Sequence, residues 1–188
     1  MLEIKNLTKK YTNNYIFRDF SYQFKSHGTY LITGKSGSGK TTLMRIICGL
    51  DKKYDGEITG GGVSNCSVAF QEYRLFEQLS TVENVYLENE KESARAKDLL
   101  LSLGFTDDDC RKSARELSGG MKQRVSIARA IFRSSPVLCL DEPTKEIGKE
   151  NVKRLAELIA KEAEKRLVIV ITHTVEDFST IKFTQITL

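Results

Sequence analysis

The sequence predicts an α/β fold. A mainly parallel sheet covered by helices forms the core, an antiparallel β subdomain occupies the N-terminal part, and an α-helical subdomain is inserted mid-chain. Three observations carry this. "LVIVIT", Leu167 to Thr172, is wholly apolar, as expected of a strand buried on both faces of a parallel sheet. Strand-like runs alternate with segments of helical period on either side of it. Between Glu72 and Arg133 the pattern becomes helical almost throughout. The reading is one domain over residues 1–188, with core and β subdomain at about 1–71 and 134–188 and the helical subdomain at about 72–133.

In chain order, "LEIKNL", "FSYQF" and "TYLIT" are short, β-branched or aromatic, and separated by turn residues, so each reads as a strand. The third runs directly into "GKSGSGKTT", after which Leu43, Ile46, Ile47 and Leu50 share one helical face. "GEITGGG" reads as a strand and turn, and "SVAF" as a short strand. In the middle region Leu99, Leu100 and Leu103 form an apolar stripe that Gly104 stops, and Met121, Val125, Ala128 and Phe132 form a second. "VLCL" is a buried strand. The next helix turns Val152, Leu155, Ala156, Ile159 and Ala163 inward, and "IKFTQITL" closes the chain after "LVIVIT".

The 188 residues suffice for a real core, and 40% hydrophobic with 29% charged residues is the balance of a globular protein. A formal net charge of +4 is spread along the chain, which argues against a nucleic-acid partner. No apolar run approaches the ~18 residues that span a bilayer. Glu3, Lys5, Lys9 and Lys10 interrupt any leader-like segment, so a cytoplasmic location is expected. The four cysteines, Cys48, Cys66, Cys110 and Cys139, are far apart and make no Cys-x-x-Cys pair. With only His27 and His173 to join them, reduced, mostly buried thiols are expected rather than a zinc site.

"GKSGSGKTT", Gly34 to Thr42, fits the phosphate-loop pattern Gly-x-x-x-x-Gly-Lys-Ser/Thr. A phosphate chain is wrapped by backbone N–H groups, so Lys35, Ser36, Ser38 and Thr42 contribute main chain while Gly34, Gly37 and Gly39 give the loop its freedom. The following helix aims its positive end at the anion. Lys40 reaches the β- and γ-phosphates and the Thr41 hydroxyl can ligate Mg²⁺. A strand before and an amphipathic helix after distinguish this from a glycine-rich turn with a chance lysine, and point to a P-loop NTPase core.

Such a loop requires a second strand that delivers an acid to the metal. "VLCLDE" supplies Asp141 and Glu142 at its carboxyl end. Successive strand side chains point oppositely, so one acid can face Mg²⁺ and the other a water attacking the γ-phosphate. Alternatively the pair simply marks the strand's end and opens a turn at Pro143.

"LSGGMKQR", Leu117 to Arg124, lies between these motifs and resembles the signature of the ATP-binding cassette (ABC) ATPase family. "VAFQEYRLF" resembles its Q-loop, with Gln71, and "VIVITHTVED" its H-loop, with His173; Tyr11 lies where the family keeps an aromatic residue that stacks on adenine. The resemblance covers essentially the whole chain. It implies an ATPase subunit of a membrane transporter that closes head to tail with a second cassette, identical or different, and is held on the cytoplasmic face of the membrane by a permease. Under it, Ser118, Gly119 and Gly120 complete the partner's site, Glu142 polarises the attacking water, Asp141, Thr41 and Gln71 hold Mg²⁺, and His173 contacts the γ-phosphate. Residues from Glu72 to about Lys91 would carry the link to the permease. "FQEYRLFEQLSTVENV" is further similar to importers of the nitrate, sulfonate and taurine group.

The match departs from the family after Thr144. Where the family has Ser-Ala-Leu-Asp, its dimer-crossing D-loop, the chain reads Lys145, Glu146, Ile147 and Gly148. It also stops soon after the H-loop, without the tail many cassettes carry. These departures admit a rival reading, a regulatory cassette that binds ATP and turns over poorly. A third, a cassette acting on ribosomes or DNA, lacks a second cassette, a coiled-coil insertion and a basic stripe.

Overall fold

Strand polarity decides where chemistry can sit in this protein. The computed structural model describes residues 1–12, 14–61, 63–87 and 89–188. Its strands are β1 (Leu2–Tyr11), β2 (Asn14–Phe24), β3 (Gly28–Thr33), β4 (Asp55–Gly60), β5 (Cys66–Ala69), β6 (Val137–Asp141), β7 (Leu167–Ile171) and β8 (Thr184–Thr187). Its α-helices are α1 (Lys40–Ile47), α2 (Glu83–Tyr86), α3 (Ser93–Ser102), α4 (Asp107–Arg111), α5 (Gly119–Phe132) and α6 (Lys149–Ala163). One sheet is antiparallel, in the order β2-β1-β4, and the other is parallel, in the order β5-β6-β7-β3-β8.

The central parallel strands β3, β6 and β7 are buried on both faces, and alternation divides their side chains between two apolar cores. Leu138, Leu140, Val168 and Val170 join α3, α5 and α6 on one side. Val137, Cys139, Leu167, Ile169 and Ile171 meet α1 and the antiparallel sheet on the other. The inserted helices therefore share an apolar core with the sheet. Helix α5 packs against α2, α3, β5 and β6, and it is buried well beyond the expected stripe, at Gln123, Ser126, Ile127, Ala130 and Ile131 as well.

The antiparallel sheet buries Leu2, Ile4 and Leu7, with a register shift between Ile4 and Leu7. Asn6 adopts a left-handed φ of 50° there, a conformation asparagine tolerates. Opposite it, a Cβ on Gly56 would lie 2.5 Å from the Asn6 carbonyl oxygen. An aromatic row, Tyr22, Phe24 and Tyr30, fills the space toward β3, with centroids 4.8 and 5.0 Å apart along it.

Three sequence expectations are corrected. Helix α1 ends at Ile47, and Leu50 is 59% exposed rather than part of the apolar face, because the chain turns at Gly49 with a φ of 70°. Val152 and Leu99 are only half-buried, at the margins of their stripes. The closing strand is confined to Thr184–Thr187, since Ile181 and Phe183 pack on the helical side before it begins. The expected turn through "GGG" includes Gly62, and the segment from Glu72 to Lys91 includes Glu88; both residues lie outside those described.

Candidate functional site

In the parallel sheet Ile32 pairs with Ile171, and Ile171 with Asp141. The residues leaving these strands therefore emerge side by side. They are the phosphate loop after β3, Glu142 after β6 and His173 after β7, while Gln71 follows β5 at the same edge. Ligand crevices of open α/β sheets form at such a carboxyl edge. Here a cleft of about 560 Å³ is lined by Ser36, Gly37, Gly39, Lys40, Thr41 and Thr42 of the loop. Its other walls are Gln71, Asp141, Glu142 and His173, together with Ile16, Lys145 and Ile171.

The loop holds itself in a binding shape. Gly39 caps α1 with a φ of 100°, and a Cβ there would strike the Ile16 side chain and come within 2.8 Å of Phe17. Lys40 is only 7% exposed, and its Nζ donates to the carbonyls of Gly34 (2.9 Å) and Lys35 (3.0 Å). The Ser38 hydroxyl is buried and has no hydrogen-bond partner among the described residues. A buried, unpartnered hydroxyl amid backbone donors at a helix N-terminus fits an incoming oxyanion. Lys35 belongs to the loop but does not line the cleft, and Gly34 closes against Leu188.

The two acids divide as strand alternation requires. Asp141 turns to the α1 side and accepts a hydrogen bond from Thr41 Oγ1 at 3.1 Å. Glu142 leaves the strand with a φ of 49°, which swings its carboxylate toward His173. Glu142 Oε1 lies 3.4 Å from His173 Nε2, and its Oε2 lies 3.4 Å from the His173 backbone N–H. The turn is held by donation from Glu142 N–H to Ile171 O at 2.9 Å and from Gln123 Nε2 to Glu142 O at 3.4 Å. Burial raises the pKa of both acids. The Thr41 hydrogen bond and the Lys40 charge oppose this at Asp141. At Glu142 the nearby His173 opposes it, whereas the Asp141 charge adds to it. Thr41 and Asp141 present hard oxygen donors side by side, the kind Mg²⁺ takes.

Tyr11 does not line this cleft. It is 48% exposed, its Oη donates to Asp51 Oδ2 at 2.9 Å, and Lys9 Nζ lies 4.7 Å from its ring centroid. Ile16 also lines the cleft; sequence reading missed it because an isolated apolar residue in a strand carries no motif. Lys145 was likewise passed over, being the first residue of the segment that departs from the family.

The signature residues lie outside the cleft. Ser118 caps α5, is exposed, and accepts from the Met121 N–H at 3.3 Å. Gly119 and Gly120 are half-buried against the segment after Thr144. A Cβ on Gly119 would lie 2.5 Å from Glu146 Oε2, and one on Gly120 would collide with the Glu146 carbonyl oxygen. Tyr73 Oη donates to Glu146 Oε2 at 2.7 Å, and Arg129 donates to the carbonyls of Tyr73 and Arg74. The segment following Gln71, the signature and the altered D-loop position are thus one contact, legible in no single motif.

The family model for ABC transporter matches residues 17–145. The glutamate/aspartate import ATP-binding protein GltL of Escherichia coli (strain K12) is 31% identical over 194 residues, covering 92% of this chain and 80% of that protein. The aliphatic sulfonates import ATP-binding protein SsuB of Bacillus subtilis (strain 168) is 36% identical over 157 residues, covering 78% and 62%. Among solved structures, a dimeric ATP-binding cassette in a post-hydrolysis state bound to ADP and Pi superposes with a TM-score of 0.81 at 27% identity, covering 94% of this chain and 90% of that one.

Proposed function

The chain belongs to the ABC transporter family, as an ATP-binding and ATP-hydrolysing subunit, and from that premise we propose how its residues divide the work. The observation that carries the proposal is the convergence of Lys40, Thr41, Asp141, Glu142 and His173 on one cleft at the carboxyl edge of the sheet. Lys40 exchanges the carbonyls of Gly34 and Lys35 for the β- and γ-phosphates, with the loop N–H groups and Ser38 completing the cradle. Thr41, Asp141 and Gln71 hold Mg²⁺, which when bound neutralises charge developing on the phosphate oxygens. Glu142 accepts a hydrogen bond from a water whose oxygen attacks the γ-phosphorus. The bond from that phosphorus to the bridging oxygen breaks and ADP leaves. A carboxylate with a raised pKa suits this role, and His173 places a donor beside the γ-phosphate. Tyr11, with Lys9 over its ring, stacks on adenine beyond Ile16.

Ser118, Gly119 and Gly120 serve a second copy of the chain, a reading supported by their absence from the lining of their own cleft. Dimer closure then moves the helical insert and a permease docked on residues 72–91. No helix among the described residues is long and apolar enough to cross a membrane; attachment to the cytoplasmic face is assigned to the permease. The import functions named for GltL and SsuB support inward transport, with cargo chosen by the permease rather than by this chain.

The test is Glu142→Gln. Hydrolysis should fall at least ~100-fold while ATP binding and the ATP-bound dimer persist; undiminished hydrolysis would remove Glu142 from its role. Co-purification from membrane extract should bring down a multi-span partner, and its absence would count against the permease. One observation favours the second reading, a slow regulatory cassette: the Glu146 carboxylate already occupies the entrance to the signature. In that case Gly148→Asp or Glu146→Ala should raise turnover.

A further inference from the structure

Three cysteines that are 18 or more residues apart in sequence meet in the fold. Cys48 is the C-cap of α1, Cys66 opens β5, and Cys139 is the middle residue of β6. Their Sγ atoms all lie within 4.8 Å of one another, and Cys48 Sγ is 3.7 Å from Cys139 Sγ. We propose that Cys48, Cys66 and Cys139 form a three-thiolate site for a thiophilic d¹⁰ cation, Zn²⁺ or Cu⁺.

Geometry is the first support. An ion bonded to three thiolates at about 2.3 Å holds its sulfurs about 4.0 Å apart when trigonal and slightly closer when a fourth ligand makes it tetrahedral. The observed spacing needs shifts of only fractions of an ångström. Ligand type is the second. A buried site of thiolates alone excludes hard cations and selects zinc or monovalent copper. Access is the third. Cys48 and Cys139 are buried, but Cys66 is half-exposed and lines a separate cleft of about 340 Å³ with Val68, Phe70, Leu87 and Arg129. An ion can therefore enter from that side, and a water there can act as fourth ligand for zinc.

Binding releases the thiol protons of the three cysteines to solvent. A bound ion would tie the end of α1 to the middle of β6. Those two elements carry Thr41 and Asp141, so it would brace the frame of the nucleotide cleft without entering it.

The test uses the full chain, reduced, stripped of metal and handled without oxygen. Zn²⁺ alone and Cu⁺ alone are added to separate samples, excess is removed by gel filtration, and retained metal is counted. One ion per chain is expected from at least one of the two. The retained ion should slow native alkylation of Cys66 and raise the thermal unfolding midpoint. Losing an outer partner of a metal ligand already costs roughly 10–100-fold in affinity, so Cys66→Ser should weaken binding at least roughly 100-fold. Cys110→Ser, buried elsewhere, should not. Cys66→Ala provides a second variant should the serine perturb folding. No retention of either ion, or equal retention by the Cys66 variants, would overturn the site.

Discussion

The phosphate-loop edge and the signature end are built on opposite plans. At the first, polar groups are held against one another: buried Lys40 on two carbonyls, exposed Thr41 on buried Asp141, and half-buried Glu142 facing exposed His173. At the second, Ser118 is exposed and the glycines behind it are closed off by Glu146 and Tyr73. One region is preorganised to receive a ligand from solvent. The other is a capped helix end whose serine and glycines do not line the nucleotide cleft, as in a surface that completes someone else's site. Under the proposed division of labour, a chain made of both binds nucleotide alone and needs a partner to complete hydrolysis.

The largest effect should come from breaking the first region at its cation. Lys40→Ala removes the group that meets the phosphates and takes the ammonium donor from the carbonyls of Gly34 and Lys35, of which Lys35 keeps the Ser38 N–H. ATP binding, measured by titration calorimetry, should weaken at least roughly 100-fold, a cost of about 2.7 kcal/mol or more. Next is the boundary between the regions. Gly120→Ala drives a methyl group into the Glu146 carbonyl, and overpacking of this kind costs about 1–3 kcal/mol. It should lower the unfolding midpoint and abolish turnover while ATP binding survives. Gly39→Ala should cost a similar amount through its left-handed φ and the clash with Ile16, but should impair ATP binding instead.

A smaller effect concerns charge. Burial raises the folded-state pKa of Asp141 and Glu142, so the folded chain holds protons that the unfolded chain releases. These two groups therefore contribute stability that declines as pH rises from the ordinary carboxylate range through the raised values. Asp141→Asn should raise the unfolding midpoint of the nucleotide-free protein near neutral pH, flatten that decline and abolish hydrolysis. An unchanged or lowered midpoint would contradict the burial cost. The smallest effect belongs to Glu146→Gln, which keeps a hydrogen-bond acceptor for Tyr73 and removes only charge at an exposed position. Stability should change by no more than about 0.5 kcal/mol.

The difference between the regions also governs what the sequence could disclose. The phosphate loop and the acids were legible because their chemistry demands particular residues at fixed spacing along one strand-to-helix turn or one strand end. Strand polarity then followed, since Leu167–Ile171 and Val137–Asp141 are apolar enough to lie only inside a parallel sheet. Contacts between distant segments were not legible. Ile16 reaches the cleft because Gly39 leaves room for it, Glu146 covers Gly119 only because the loop after β6 folds back, and Cys48, Cys66 and Cys139 converge only once α1, β5 and β6 are stacked. The burial of α5 from Gln123 to Ala128 was hidden too, because Gln123 and Ser126 are polar and extend no apolar stripe until the helix packs against α2, α3 and the sheet.

Mixing two inactive variants tests the division of labour most directly. Lys40→Ala spoils the phosphate loop and keeps the signature; Gly120→Ala keeps the loop and spoils the signature. If each site takes one region from each copy, a random mixture contains mixed dimers as about half of all dimers, each with one intact site. ATPase activity should then appear on mixing, at up to roughly a quarter of the wild-type rate. A mixture no more active than either variant alone would contradict a site shared between two copies of this chain.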